Sequence, residues 1–111
     1  MSALIQNITF HNLVAAPANG AELKPRLGST VIIDVDSAGQ GVAFAGKFQG
    51  KVFADGTYRD VAFKKLVDGT MDDDFIANGA YQLDMNGFSV IRAKLDAVAN
   101  GTVTIKAREI G

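Results

Sequence analysis

An all-β fold, an antiparallel β-sandwich of jelly-roll type with about seven to eight short strands, is what this chain predicts. Three observations carry that reading. Apolar residues recur at period two along almost the whole length, the signature of half-buried strands. Asn-Gly, Asp-Gly and Gly-rich turn signals separate the alternating runs, supplying the positive φ angles that tight hairpins demand. No window sustains the apolar stripe of a helix, although KLVDGTMDDDF has room for a helical turn.

In chain order, LIQNITF places Leu4, Ile8 and Phe10 on one face, with Gln6 between them. STVIIDVD turns Val31, Ile33 and Val35 one way and Thr30, Asp34 and Asp36 the other, with Ile32 as the exception. The longest alternation, VAFAGKFQGKV, aligns Val42, Phe44, Gly46, Phe48, Gly50 and Val52 against Lys47, Gln49 and Lys51. YRDVAFKK pairs Val61 with Phe63. AYQLDM aligns Tyr81, Leu83 and Met85. In SVIRAKLDA, Ile91, Ala93, Leu95 and Ala97 oppose Arg92, Lys94 and Asp96. TVTIKARE sets Val103, Ile105 and Ala107 inward and Thr104, Lys106 and Arg108 outward. The breaks fall at ANG (18–20), AGQG (38–41), ADGT (54–57), VDGT (67–70) and the NG pairs at 86–87 and 100–101.

A length of 111 residues is that of a single domain, 1–111, able to bury about two-thirds of its unfolded surface. Apolar residues make up 48% and charged residues 21%, an ordinary globular composition that argues against disorder. The formal net charge of -1 leaves no electrostatic footprint for nucleic acid or an anionic membrane. Absence of cysteine excludes a disulfide framework and thiolate chemistry. MSALIQNITFHN lacks a basic n-region and a long apolar run, so no signal peptide is expected. No apolar stretch reaches the ~20 residues that span a bilayer. A reducing cytoplasm suits this composition.

Chemistry-bearing residues are sparse. His11 is the sole histidine, and Ser-His-acid catalysis would require it. No Gly-x-Ser-x-Gly elbow accompanies it, and its setting in FHNL suits a surface or turn residue. Asp72, Asp73 and Asp74 follow Asp68-Gly69, and clustered carboxylates can ligate a hard cation. Their spacing is not that of an EF-hand, and consecutive side chains diverge. The simpler reading is a solvated loop that blocks edge-to-edge association. Asp34 and Asp36 share a strand face, with nothing to tie them to that loop. Glycan-binding sandwiches stack sugars on exposed aromatics. Tryptophan is absent, and Tyr81 shares a face with Leu83 and Met85. Tyr58, after the ADGT turn, is therefore the candidate glycan contact. The sequon Asn7-Ile8-Thr9 reads as strand sequence. The lysines of GKFQGK and AFKK read as a solubilising edge. Gly46, Gly50 and Gly79 form no phosphate loop, because no helix follows them. Neither a catalytic set, a cofactor site nor a metal site is expected, and the protein is expected not to be an enzyme.

Four segments together carry a family resemblance: IQNITFHNLVAAPANGAEL, STVIIDVDSAGQGVAFAGKFQGKV, YRDVAFKKLVDGT and GAYQLDMNGFSVIRAKLDAVANGTVTIKARE. The last, with its Gly-x-Tyr-x-Leu, Gly-Phe, Val-Ile-Arg and Gly-x-Val elements, is the most specific. Across nearly the whole length the chain resembles small structural-protein domains of tailed bacteriophages and prophages. Many such domains carry a tryptophan near the position held here by Tyr58, a departure that weakens the case for stacking at that site.

The resemblance implies a non-enzymatic virion component: a head decoration or head fibre, or a neck or tail appendage. Such a component would be assembled in the cytoplasm of the bacterial host and act as a homo-oligomer with other virion proteins. A trimer is the favoured stoichiometry. Repetition of modest contacts gives such arrays their hold, and symmetric assembly is the rule. Apolar residues on otherwise polar faces or loops, Ile32, Phe75, Ile76 and Val90, are the candidate interface. The alternative from a different class is a carbohydrate-binding β-sandwich that recognises a host-surface glycan through Tyr58.

Overall fold

Period-two alternation with β-branched and aromatic residues on one face favours strands whose inner side is buried. The computed structural model describes residues 5–25, 30–84 and 87–110, with the side chains of Ile5 and Gln6 outside that description. Expectations for Leu4, Gln6, Met85 and Asn86 therefore fall outside the described residues. Ten strands are formed among those described: β1 (Ile5–Val14), β2 (Glu22–Leu23), β3 (Thr30–Ala38), β4 (Ala43–Lys51), β5 (Arg59–Val61), β6 (Phe63–Lys65), β7 (Met71–Asp72), β8 (Gly79–Asp84), β9 (Val90–Ala99) and β10 (Thr102–Ile110). The excess over seven or eight has a simple cause. β2 and β7 are two-residue pairings too short to show a period, and Ala62 divides YRDVAFKK between β5 in one sheet and β6 in the other.

A six-stranded sheet of order β1-β10-β3-β8-β6-β7 faces a four-stranded sheet of order β2-β9-β4-β5. All pairings are antiparallel. The all-β sandwich expected from the sequence is thus present. These strand orders do not establish jelly-roll connectivity.

Between the sheets lie the residues that the alternation pointed inward, among them Val31, Ile33, Val35, Phe44, Phe48, Leu83, Ile91, Leu95, Val103 and Ile105, all buried. Phe48 sits at the centre of an aromatic cluster. Its ring stacks on Phe75 at 4.8 Å and meets Phe63 edge-on at 5.2 Å, with Tyr81 6.2 Å away. Offset and edge-on pairs of this kind add stabilisation beyond the burial of apolar area.

The glycines of VAFAGKFQGKV occupy that same inner face because other rings need the space. A Cβ on Gly46 would collide with the Phe75 ring and lie 2.6 Å from the Lys94 carbonyl oxygen. One on Gly50 would lie 2.5 Å from the Phe88 ring. Phe75 is a loop residue, yet its N–H donates to the Gly46 carbonyl at 2.9 Å, and its own carbonyl accepts from the Gly46 N–H at 3.0 Å. A loop leaving the six-stranded sheet is thereby stitched into the four-stranded one.

Two irregularities change the inward and outward assignments. The β4–β9 register shifts between Ala45 and Gly46, leaving Asp96 as the extra residue on β9. A bulge of this kind reverses the facing of the residues beyond it. Ala97 is consequently exposed, and Val98 packs against the core in its place. Shifts between Thr9 and His11, and between His11 and Val14, turn Phe10 and His11 inward together. Val52, expected on the inner face, is 55% exposed because β4 ends at Lys51.

Candidate interaction surfaces

The outer face of the four-stranded sheet is a polar network. Arg92 on β9 donates from Nε and Nη2 to Gln49 Oε1 at 3.0 and 2.9 Å. Gln49 Nε2 in turn donates to Asp60 Oδ1 at 2.9 Å. Lys47 lies 3.4 Å from Asp60 and 3.3 Å from Asp74. The hydrogen bond from Gln49, ahead of the contact with Lys47, holds the Asp60 carboxyl below its usual range. The hydrogen bonds that Lys47 donates to Asp74 and Asp60 raise the pKa of its ammonium.

Tyr58 joins this network. Its ring carries the Arg92 guanidinium 3.7 Å from the centroid and the Lys51 ammonium at 4.5 Å, both within cation–π range. Its hydroxyl donates to Glu22 Oε2, tying the turn before β5 to β2 across the sheet. Burial, then the bond to Glu22, push the phenol up to about 12. A sugar stacking on this ring would have to share it with the Arg92 guanidinium.

His11 is 3% exposed. The expectation of a surface or turn position is corrected by the bulge that turns it between the sheets. Its Nε2 donates to the Ala93 carbonyl on β9 at 2.5 Å, which fixes the Nε2–H tautomer because a carbonyl only accepts. The bond joins one sheet to the other. Gly20, with φ of 75°, closes over the imidazole so tightly that a Cβ would lie 2.5 Å from Nε2.

The aspartates of the 68–74 loop turn to separate partners. Asp68 accepts from the Thr70 N–H and hydroxyl at 3.0 and 2.7 Å. Asp72 accepts from the N–H of Asp73 at 2.8 Å and pairs with Lys65 at 3.2 Å, which holds its carboxyl below the usual range. Asp74 pairs with Lys47. Among the described residues no group of three or more metal-ligating side chains converges.

Of the candidate interface residues, Phe75 and Val90 are covered by their own chain, at 1% and 7% exposure. Ile32 and Ile76 reach the surface at two separate places. Ile32 is half-buried in a shallow depression of about 600 Å³ on the outer face of β1, β10 and β3, beside Lys106, Arg108 and Ile110. Ile76 is 71% exposed at the mouth of a cleft of about 610 Å³ between the β6–β7 hairpin and the loop before β8, floored by Phe75 and Tyr81.

Sequence reasoning missed Glu109. It continues the inward parity of Val103, Ile105 and Ala107 and is fully buried. Extending the β10 alternation by one step would have found it.

A β-sandwich of two antiparallel sheets, with polar outer faces and a phenylalanine-rich interior, defines the structural class. The family model for XepA matches residues 4–109, and the chain belongs to the XepA family. Two solved structures share the fold. One is the SPBc2 prophage-derived protein YomS, with a TM-score of 0.89 at 16% identity, covering 100% of this chain and 96% of that one. The other is the PBSX exported protein XepA, with a TM-score of 0.92 at 20% identity over 100% of this chain. This chain spans 39% of the XepA chain. No curated protein sequence matches it. The expected likeness to phage and prophage proteins thus holds at the level of family and fold.

Proposed function

We propose that the chain is a non-enzymatic structural protein of a phage or prophage virion, a head decoration or fibre or a neck or tail appendage, working as a homo-oligomer. Membership of the XepA family over residues 4–109 carries this reading. Two further observations support it. The same fold stands as nearly the whole of a prophage-derived protein and as a fraction of a longer exported one, the usage expected of a building module. The sole histidine, which a Ser-His-acid set would need, is sealed under Gly20 against a main-chain carbonyl.

The test is to induce particle production, band the particles on a density gradient and probe the fractions for the chain. Co-migration with intact particles is the expected result. Recovery only as free protein in the medium would overturn the virion assignment. A companion measurement, size-exclusion chromatography with light scattering, is expected to give a multiple of the 11.7 kDa chain mass. A glycan array tests the carbohydrate reading: specific binding lost in Tyr58→Ala would replace assembly with recognition as the principal role.

A further inference from the structure

Four Asn-Gly pairs punctuate the chain, at 19–20, 78–79, 86–87 and 100–101. Asparagine before glycine is open to intramolecular attack, because glycine has no Cβ to keep its main-chain nitrogen from the neighbouring side-chain amide. What holds those two groups then decides the rate. Asn86 lies outside the described residues, and the other three pairs differ sharply. Asn78 is held at both ends of its amide: Oδ1 accepts from Ser37 Oγ at 2.7 Å, and Nδ2 donates to Asp36 at 3.3 Å. Gly79 is fixed in the β8 ladder opposite Val35. Asn100 donates from Nδ2 to the Gly41 carbonyl at 3.3 Å. Its main chain, with φ of 62°, is wedged against the β3–β4 turn, where a Cβ on Gly101 would collide with the Ala38 carbonyl oxygen. Asn19 is exposed, and among the described residues neither its side-chain amide nor the Gly20 N–H makes a hydrogen bond.

We infer that Asn19-Gly20 is a self-modification site. The Gly20 nitrogen attacks Cγ of Asn19, and the new N–Cγ bond closes a succinimide. The Cγ–Nδ2 bond breaks, and ammonia leaves with the proton of the Gly20 N–H. Solvent water then opens the ring, giving aspartate or, by attack at the Asn19 main-chain carbonyl, isoaspartate. The location gives this chemistry a structural effect. Reciprocal bonds between Ala18 and Leu95, at 3.0 and 2.8 Å, pin the chain on one side, and the Ala21 N–H bond to the Phe10 carbonyl at 3.0 Å pins it on the other. Between the pins, Gly20 covers His11. Isoaspartate routes the main chain through an added methylene, so a strap fitted between fixed points becomes too long and lifts from the imidazole.

Incubating the folded protein at mildly alkaline pH, with peptide mass spectrometry and isoaspartyl methyltransferase labelling, measures each site. Asn19 should convert about tenfold faster than Asn78 or Asn100, the factor that one or two hydrogen bonds to be broken would impose. In denaturing urea the three rates should converge. The aged wild type should have a lowered thermal midpoint, and Asn19→Gln, which cannot close the five-membered ring, should keep its own. Conversion at Asn78 or Asn100 as fast as at Asn19 in the folded protein would overturn the assignment. A ranking unchanged in urea would do the same, by tracing the difference to local sequence. A midpoint retained after conversion at Asn19 would overturn the loosening of the strap.

Discussion

His11 shows how one residue acquires a role through its surroundings. Burial lowers the imidazole pKa below its ordinary 6.5, and the bond to Ala93 offsets this only in part. The unfolded chain therefore takes up a proton at higher pH than the folded one. Stability attached to His11 is complete above pH of about 6.5 and declines as pH falls below it. Asp60, Asp68 and Asp72 are held below 3.8. Their contribution survives that window and is lost only in stronger acid. A thermal midpoint lower at pH of about 5 than at about 7.5 is thus expected. His11→Gln, which keeps a side-chain N–H donor, should flatten the difference. A wild-type midpoint constant across that range would remove His11 from this role. Gly20→Ala should cost about 1–3 kcal/mol, since it combines a positive φ with a collision at the imidazole. Chemical denaturation measures that directly.

Among the strands, β4 is where sequence and structure agree most closely and where their differences are most informative. The run from Phe44 to Gly50 announced its inner face, including the two glycines. It did not announce why glycine is there, because the rings they accommodate come from residues 75 and 88, far along the chain. Gly46→Ala should destabilise by about 1–3 kcal/mol through overpacking. The obstruction includes the Lys94 main-chain oxygen, which cannot swing aside. Gly50→Ala meets first the half-buried Phe88 side chain and should cost less. Equal denaturation midpoints for the two would contradict this account. Elsewhere the alternation located β3, β8 and most of β9 and β10, since burying one face of a strand enforces period two. It failed where a bulge adds a residue, exposing Ala97 and burying His11. It also failed where pairing is too short to carry a period, as in β2 and β7. The candidate site was legible in part. Ile32 and Ile76 were identifiable as apolar residues out of place, while Tyr58 gave no hint of Arg92 and Glu22, which reach it from other strands.

At the scale of the whole molecule, the two sheets share one aromatic interior, and Phe48 is the residue through which most of it communicates. Phe48→Ala should cost about 3–5 kcal/mol, read as a drop in denaturation midpoint. A cost under about 1 kcal/mol would show that the neighbouring rings collapse into the vacancy. The reciprocal bonds between Phe75 and Gly46 have a consequence for motion. With a loop of the larger sheet paired into the smaller one, neither can peel away while its partner stays intact. The amide protons of Gly46 and Phe75 should therefore exchange with deuterium only through global opening, at rates matching the slowest core amides. Exchange as fast as that of the 52–57 turn would instead show the loop to be a door.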